Sequence, residues 1–493
     1  MTAIPSRAAS AASGMRWGLA SMVVNVAAQL GFTAVMARLL EPAAFGLMAM
    51  AIIVMRLFAY ASQAGLAAAL VQRRELQRRH VEAALGLTLA IGTLATAAML
   101  LAAPLLAAFF LDPALAAVLA GLAPNLLLVS LGALPIALLR RGLRFKSIAV
   151  IETLAYILGY GAVGVLLAGL HAGVWALVGA TLAQSALTWA MAYALERHSL
   201  RPRLSVEGRE LLSYGSAFSA VGLLEFLSAN LPGAAIGRLL GAPALGVFSR
   251  AWLLTNLPVE KATGVVARVL FPLLSQLQGD RSRLAALFLL ALSAIGLMGA
   301  ALTLSIAAVA EPLVAVLLGR QWSAAVPVVE VLSLSVPFIF MSTLAGTVCD
   351  ATALLALKMR IQLATLLLIA ALMLAWRQHG LVGVAWALVA GEVLRLLAYG
   401  LLVGRALGCR TGELLRVLAS TLATGALAYA VGCMLLMPLR DGPALLQAAA
   451  GAPAALLALA AGALLWSRWM AGSGAAELAG RHRPRWLRRE AGA

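Results

Sequence analysis

The sequence predicts an all-α integral membrane protein of about 14 transmembrane helices. Two pseudo-twofold-related six-helix bundles surround a central cavity, and two extra helices follow. Three observations carry this expectation. Of 493 residues, 63% are hydrophobic and only 11% charged, whereas soluble domains carry about 25% charged residues. Apolar runs long enough to cross about 30 Å of hydrocarbon as α-helices, and too long for barrel strands, recur from end to end. The third is an internal repeat, set out below.

The first run, 15–40, follows Arg7 and Arg16 and is too long for a signal-peptide core, so it is expected to remain as a span. Spans at 44–70, 82–110, 114–139, 148–170 and 173–195 complete an N-terminal six-helix bundle over 1–195. A basic linker, 196–210, leads to a C-terminal bundle over 211–405. Its spans are expected at 211–240, 244–274, 284–309, 326–350, 359–376 and 381–404. Two additional helices, 416–437 and 444–466, lie within 416–466, and a basic tail occupies 467–493.

The connections alternate in charge. One set, including 72–80, 140–147, 196–210, 279–283, 357–360 and 405–416, holds 27 of the 37 Lys and Arg residues when both termini are added. The other set holds five: Arg38, Arg238, Arg320, Arg377 and Arg440. By the positive-inside rule the first set and both termini are expected in the cytoplasm, and an even number of spans agrees. The expected location is therefore a membrane crossed many times, with both ends on its cytoplasmic side. The tail at 481–490, with five basic residues and one Trp, suits anionic lipid heads.

The repeat is visible in three segments. ARLLEPAAFGLMAMA (37–51) returns as GRLLGAPALGVFSRA (237–251), matching Arg38/Arg238, Leu39/Leu239, Ala44/Ala244 and Gly46/Gly246. PLLAAFF (104–110) returns as PLVAVLL (312–318), and GVWALVGA (173–180) as GVAWALVA (383–390). Three matches in one order, in a chain of this composition, are not expected by chance. Six spans per repeat is an even number, so both halves enter the membrane in the same direction. A pseudo-twofold axis along the membrane normal is then expected, with a substrate cavity between the halves.

The stretch 248–280 carries charge where charge is costly. Arg250, Glu260, Lys261 and Arg268 lie in one apolar span, although a charged side chain at the bilayer centre costs roughly 2.5–3.5 kcal/mol or more. At 100° per residue, Arg250, Lys261 and Arg268 share a helical face and form a ladder about 27 Å long. Pro258 is expected to kink it. A one-sided basic ladder reads as the wall of a path for an anion. The competing reading has the end residues snorkelling and Lys261 paired with Glu225 or another acid.

Other polar groups lie inside spans. Ser21, Asn25 and Gln29 recur every four residues along the first span. Arg56 sits near mid-span in the second, and Glu225 near the middle of the seventh. Glu392 and Arg395 are spaced i, i+3, at which they can neutralise each other. Glu225 and the Glu392–Arg395 pair are the coupling candidates, and Asn25, Gln29 and Glu260 are further cavity-lining candidates. Asn125, Asn230 and Asn256 are read as interhelical hydrogen-bonding groups.

Several functions are excluded as expectations. The three cysteines and five histidines share no ligand spacing, so no metal is expected. Nucleophile elbow, HExxH and P-loop patterns are absent from the sequence, and no enzyme is expected. No cofactor is expected. A proton or sodium gradient, or the membrane potential, is the expected driving force. The net charge of +18 follows membrane topology, so nucleic acid is not an expected partner.

On these residues the chain resembles the polysaccharide-biosynthesis branch of the multidrug/oligosaccharidyl-lipid/polysaccharide exporter superfamily, the bacterial lipid-linked oligosaccharide flippases. The resemblance runs from about Arg16 to Leu407. It rests on 37–51, GLAAALVQRRELQRRHVEAA (65–84), RGLRFK (141–146), 248–280 and EPLVAVLLGRQWSAAVPVVEVLSL (311–334). It implies a lipopolysaccharide, O-antigen, exopolysaccharide or capsule flippase moving an undecaprenyl-diphosphate-linked oligosaccharide by alternating access. Arg56, Arg250, Lys261 and Arg268 are then the diphosphate-binding candidates. Membrane lipids and other glycan-assembly membrane proteins are the implied partners. A cation-coupled multidrug exporter of the same superfamily is the alternative, and it favours an acid-lined cavity. Two positions depart from the family pattern: Gln321 replaces an acidic residue, and 351–360 lacks the usual Gly-Arg turn.

Overall fold

The computed structural model describes residues 26–62, 70, 77–203, 220–276, 280–352 and 354–472, in some helical stretches such as 261–276 by backbone alone. Among the described residues all regular structure is helical. Eleven helices are long and apolar enough to cross a membrane, and Val26–Leu39 is a shorter apolar one.

The order of elements follows the expected spans. These are α1 (Val26–Leu39), α2 (Pro42–Ser62), α3 (Arg78–Phe110), α4 (Ala114–Arg141), α5 (Phe145–Gly169) and α6 (Val174–Leu195). The continuous element Ala220–Gln276 is divided by Gly241, whose φ of 83° is open to glycine, into α7 (220–240) and α8 (242–276). Then come α9 (Arg281–Ala308), α10 (Val326–Ala351), α11 (Leu355–Trp376), α12 (Gly380–Leu407), α13 (Thr411–Leu436) and α14 (Gly451–Gly472). Two of the eleven long elements thus each span two helices: Leu223–Leu257 crosses from α7 into α8, and Leu355–Leu407 holds α11 and α12. The expected kink at Pro258 leaves no break in the dihedrals: within 220–276 the non-helical residue is Gly241.

The described residues form two compact units. Unit one holds those up to Ser249 together with Leu317–Gly319, and unit two holds Arg250–Val316 and those from Arg320 onward. In unit one α4 is central, packing on α2, α3 and α6. In unit two α9, α10, α12 and α13 surround a core that includes Phe288, Val336, Met341, Tyr399 and Val417. Large apolar side chains such as Leu101, Leu105, Leu367 and Leu456 stay exposed on spanning helices. In lipid this costs nothing, because acyl chains are as apolar as leucine.

Close packing in lipid then depends on small residues and local hydrogen bonds. A methyl group on Gly159 would meet the Gln184 backbone at 2.7 Å, bringing α5 against α6. There α5 widens into a π-helix over Ile157–Gly164. Tyr156 and Tyr160 stack at 5.0 Å, Phe32 meets Tyr160 edge-on at 4.8 Å, and the Tyr160 and Thr181 hydroxyls lie 2.8 Å apart. Apolar periodicity carries no signal for this bulge.

The repeat reappears in three dimensions inside unit one. Met36/Ile236, Phe45/Leu245 and Met48/Phe248 are all buried, at the sequence offset of 200. A methyl on Gly46 would overlap the carbonyl oxygen of Ala242, and one on Gly246 would overlap that of Pro42. The two contacts exchange under the same offset, which is the signature of a local twofold axis between the starts of α2 and α8. Near the start of the later matched segments the two halves also share a turn. Gly173 (φ 58°, ψ −132°) starts α6 and Gly380 (φ 64°, ψ −148°) starts α12, in nearly one conformation.

Charged connections are stitched locally. Arg144 pairs with Glu196 at 2.9 Å, and Arg78 with Glu82 at 2.9 Å. Asp280 caps α9, accepting hydrogen bonds from the Arg283 N–H at 3.1 Å and the Ser282 hydroxyl at 2.7 Å. The Ser282 bond, then the Arg283 N–H, hold its carboxyl below the usual 3.8. A depressed folded pKa means the cap's contribution is complete above that usual value and disappears as pH falls through the folded one. Asp280→Asn is therefore expected to flatten the fall in thermal midpoint below about pH 4. An unchanged acid profile in that variant would show that the cap does not titrate with folding.

Candidate functional site

The basic ladder lies on one unbroken run of helical backbone. From Arg250 to Arg268, α8 keeps helical dihedrals throughout, so the 18-residue spacing corresponds to about 27 Å of axial rise. Arg250 is half-buried and Glu260 exposed, while the side chains of Lys261 and Arg268 fall outside the described residues. In unit one Arg56 is exposed on α2, Gln29 is half-buried on α1 and Glu225 is exposed on α7, and Asn25 lies outside the described residues. Next to Arg56, the Met55 sulfur accepts from the Asn125 amide at 3.2 Å. The Asn230 amide donates to the Phe226 carbonyl of its own helix at 2.8 Å.

Glu392 and Arg395 do meet, as their spacing on α12 predicts. Nη2 of Arg395 lies 2.6 Å from Oε2 of Glu392, and both side chains are largely buried. Among the described residues the Arg395 Nε has no hydrogen-bond acceptor. The two opposite charges at this distance form a buried ion pair.

The structure adds three residues that spacing did not single out. Lys358, buried on α11, donates to both carboxylate oxygens of Asp350 on α10, at 2.9 and 2.8 Å. In the sequence Asp350 only closes the span expected at 326–350, and Lys358 falls in the basic connection 357–360. Their eight-residue separation spans a helix turnaround, so no helical spacing announces the pair. The Lys358 stem and the Tyr399 hydroxyl converge on Gly346. Tyr399 is seven residues after Glu392 on α12, about 20° from the same face. Unit two thus holds a line of polar groups, Glu392, Arg395, Tyr399, Lys358 and Asp350, running across α12, α11 and α10. Such a line can store or relay charge inside hydrocarbon. Among the described residues no group of His, Cys, Asp and Glu is arranged to hold a metal ion.

Comparison with known proteins gives these features a setting. A family model described as "Polysaccharide biosynthesis protein" matches residues 35–327. The lipopolysaccharide biosynthesis protein WzxC of Escherichia coli (strain K12) is 24% identical over 401 residues, 80% of this chain and 81% of that one. The succinoglycan biosynthesis transport protein ExoT of Rhizobium meliloti (strain 1021) is 28% identical over 321 residues, 65% of each chain. Among solved structures, the lipid II flippase MurJ in an inward closed conformation matches with a TM-score of 0.69 at 12% identity, over 90% of this chain and 98% of that one. An inward-facing multidrug resistance MATE family transporter of the MOP superfamily matches at 0.61 and 17% identity, over 79% and 95%. These two likenesses establish a shared transporter fold. With more than half of its length matched by the family model, the chain belongs to the polysaccharide biosynthesis protein family, on a multi-span membrane fold shared with MurJ and MATE transporters.

Proposed function

We propose that the protein is a flippase rather than an enzyme. It carries an undecaprenyl-diphosphate-linked oligosaccharide from the cytoplasmic to the periplasmic leaflet by alternating access, for lipopolysaccharide, exopolysaccharide or capsule synthesis. The observation that carries this reading is the continuous α8 backbone, which sets Arg250, Lys261 and Arg268 at one-face spacing in a member of a polysaccharide biosynthesis family. A diphosphate brings two or more negative charges, which guanidinium groups bind bidentately. Arg56 is the fourth cation of the proposed site. The related names, lipopolysaccharide biosynthesis and succinoglycan transport, support the class of cargo. Cation-coupled multidrug export is the second reading, favoured by the MATE likeness.

The deciding experiment is translocation in proteoliposomes of defined lipid-linked glycans beside a cationic drug. A charge-assisted hydrogen bond contributes on the order of 1.5–3 kcal/mol, so losing one costs roughly 10- to 150-fold. Arg56→Ala and Lys261→Ala are expected to lose nearly all glycan-lipid flipping at normal insertion, and Arg56→Lys to keep part. Unchanged rates in both alanine variants, or transport of the drug alone, would overturn the flippase reading.

The proposed setting is a bacterial inner membrane with both termini cytoplasmic, among membrane lipids and other glycan-assembly proteins, without nucleic acid. Impermeant thiol reagents are expected to label cysteines placed at 377–380 from outside, whereas labelling of Arg201→Cys from outside would reverse this orientation. A proton or sodium gradient or the membrane potential drives the cycle in this proposal, through Glu225 or the Glu392–Arg395 pair. Transport by Glu225→Gln with unaltered gradient sensitivity would remove Glu225 from that role.

A further inference from the structure

We propose that unit two holds a phospholipid with a primary-amine headgroup in a pocket among α9, α10, α12 and α13, its ammonium resting on Glu330. The pocket has a volume of about 600 Å³ and opens at the surface of the unit, a size typical of built ligand sites. Its polarity is graded with depth. The end of α9, the starts of α10 and α12 and the end of α13 lie toward one membrane face, because successive spans alternate in direction. Glu330 is four residues into α10, about 6 Å along the axis, and Trp386 six residues into α12, about 9 Å. Tyr429 is seven residues before the end of α13, about 10 Å. The deeper wall is mostly apolar: Leu334 and Phe338, the latter about 18 Å along α10, with Leu422 opposite and Thr421, whose hydroxyl donates to the Val417 carbonyl of its own helix. A rim of carboxylate, indole and phenol above an apolar shaft matches an amphiphile with its head at the interface and its chain inside.

The charge at the rim selects the head. Among the described residues Glu330 takes part in no ion pair or hydrogen bond, and neither does Glu311, which lies close enough to repel it electrostatically. Two unneutralised carboxylates attract an ammonium and repel anionic heads, a diphosphate included. The pocket is accordingly distinct from a station for the proposed cargo, and its occupant is a resident lipid of the bilayer.

Trp386, 44% exposed in the pocket, supplies the probe. The full-length protein is placed in phosphatidylcholine vesicles containing either phosphatidylethanolamine or phosphatidylglycerol with brominated chains. The Trp386 signal is taken as the difference between the parent and Trp386→Phe. The expected result is quenching at about two- to fivefold lower concentration by the ethanolamine lipid, the size of one exposed ion pair. Glu330→Gln is expected to abolish that preference, and Glu330→Asp to retain it. Equal quenching by both lipids, or a preference that survives Glu330→Gln, overturns the proposal. So does displacement of the brominated ethanolamine lipid by equimolar undecaprenyl phosphate, which would give the pocket to the carrier. None of these readouts requires transport, so they stand or fall apart from the flippase reading.

Discussion

Replacing Glu392 with alanine is expected to destabilise the protein by about 3–5 kcal/mol, the usual consequence of leaving one member of a buried ion pair uncompensated. Arg395 would then keep a full positive charge on α12 without the carboxylate that now lies 2.6 Å away. Removing both charges is expected to cost far less, since desolvation of two ions offsets much of their attraction. A double-mutant cycle of Glu392→Leu and Arg395→Met, followed by reversible unfolding in denaturing detergent, checks both statements. A single-variant loss below about 1 kcal/mol would show that Arg395 is compensated elsewhere. The double variant then serves function: if it folds but loses gradient sensitivity, the pair couples transport, and if it transports normally the pair is structural.

Alanine at Gly46 or Gly246 is the second large effect. Each added methyl group would overlap a backbone carbonyl oxygen, Ala242 for one and Pro42 for the other. A flexible side chain can swing aside, but a helix backbone cannot, so the starts of α2 and α8 must separate. Overpacking of this kind costs about 1–3 kcal/mol, with the upper end expected here because the obstacle is main chain. Gly31→Ala is the control, as nothing lies within 4 Å of its added methyl and alanine is the better helix former. Because the two contacts are related by the repeat, both alanine variants are expected to lose stability to a similar extent. A neutral Gly46→Ala beside a damaging Gly246→Ala would contradict the local twofold arrangement.

Much of the fold was legible because a bilayer leaves few options. Backbone polar groups must be satisfied within each spanning segment, so long apolar runs had to be helices. Their ends follow from charged and glycine- or proline-containing connections such as 111–113 and 438–443, and each described helix from α1 to α14 falls on an expected span. The repeat was also legible, since Gly46 and Gly246 stand at one fixed offset in matching segments. The Glu392–Arg395 contact follows from helical spacing alone.

Other features depend on groups brought together across the chain. The π-helix at Ile157–Gly164 leaves no trace in apolar periodicity. Lys358 reaches Asp350 only because α10 and α11 turn back on each other. The rim of Glu330, Trp386 and Tyr429 joins residues from three helices up to 99 positions apart in sequence. What the sequence by itself determined is therefore what acts within one helix or repeats at one offset: spans, topology signals, the in-helix ion pair and the paired glycines. Tertiary structure alone decided which helices touch, because in lipid that choice rests on small residues and shape complementarity, and neither leaves a periodic pattern.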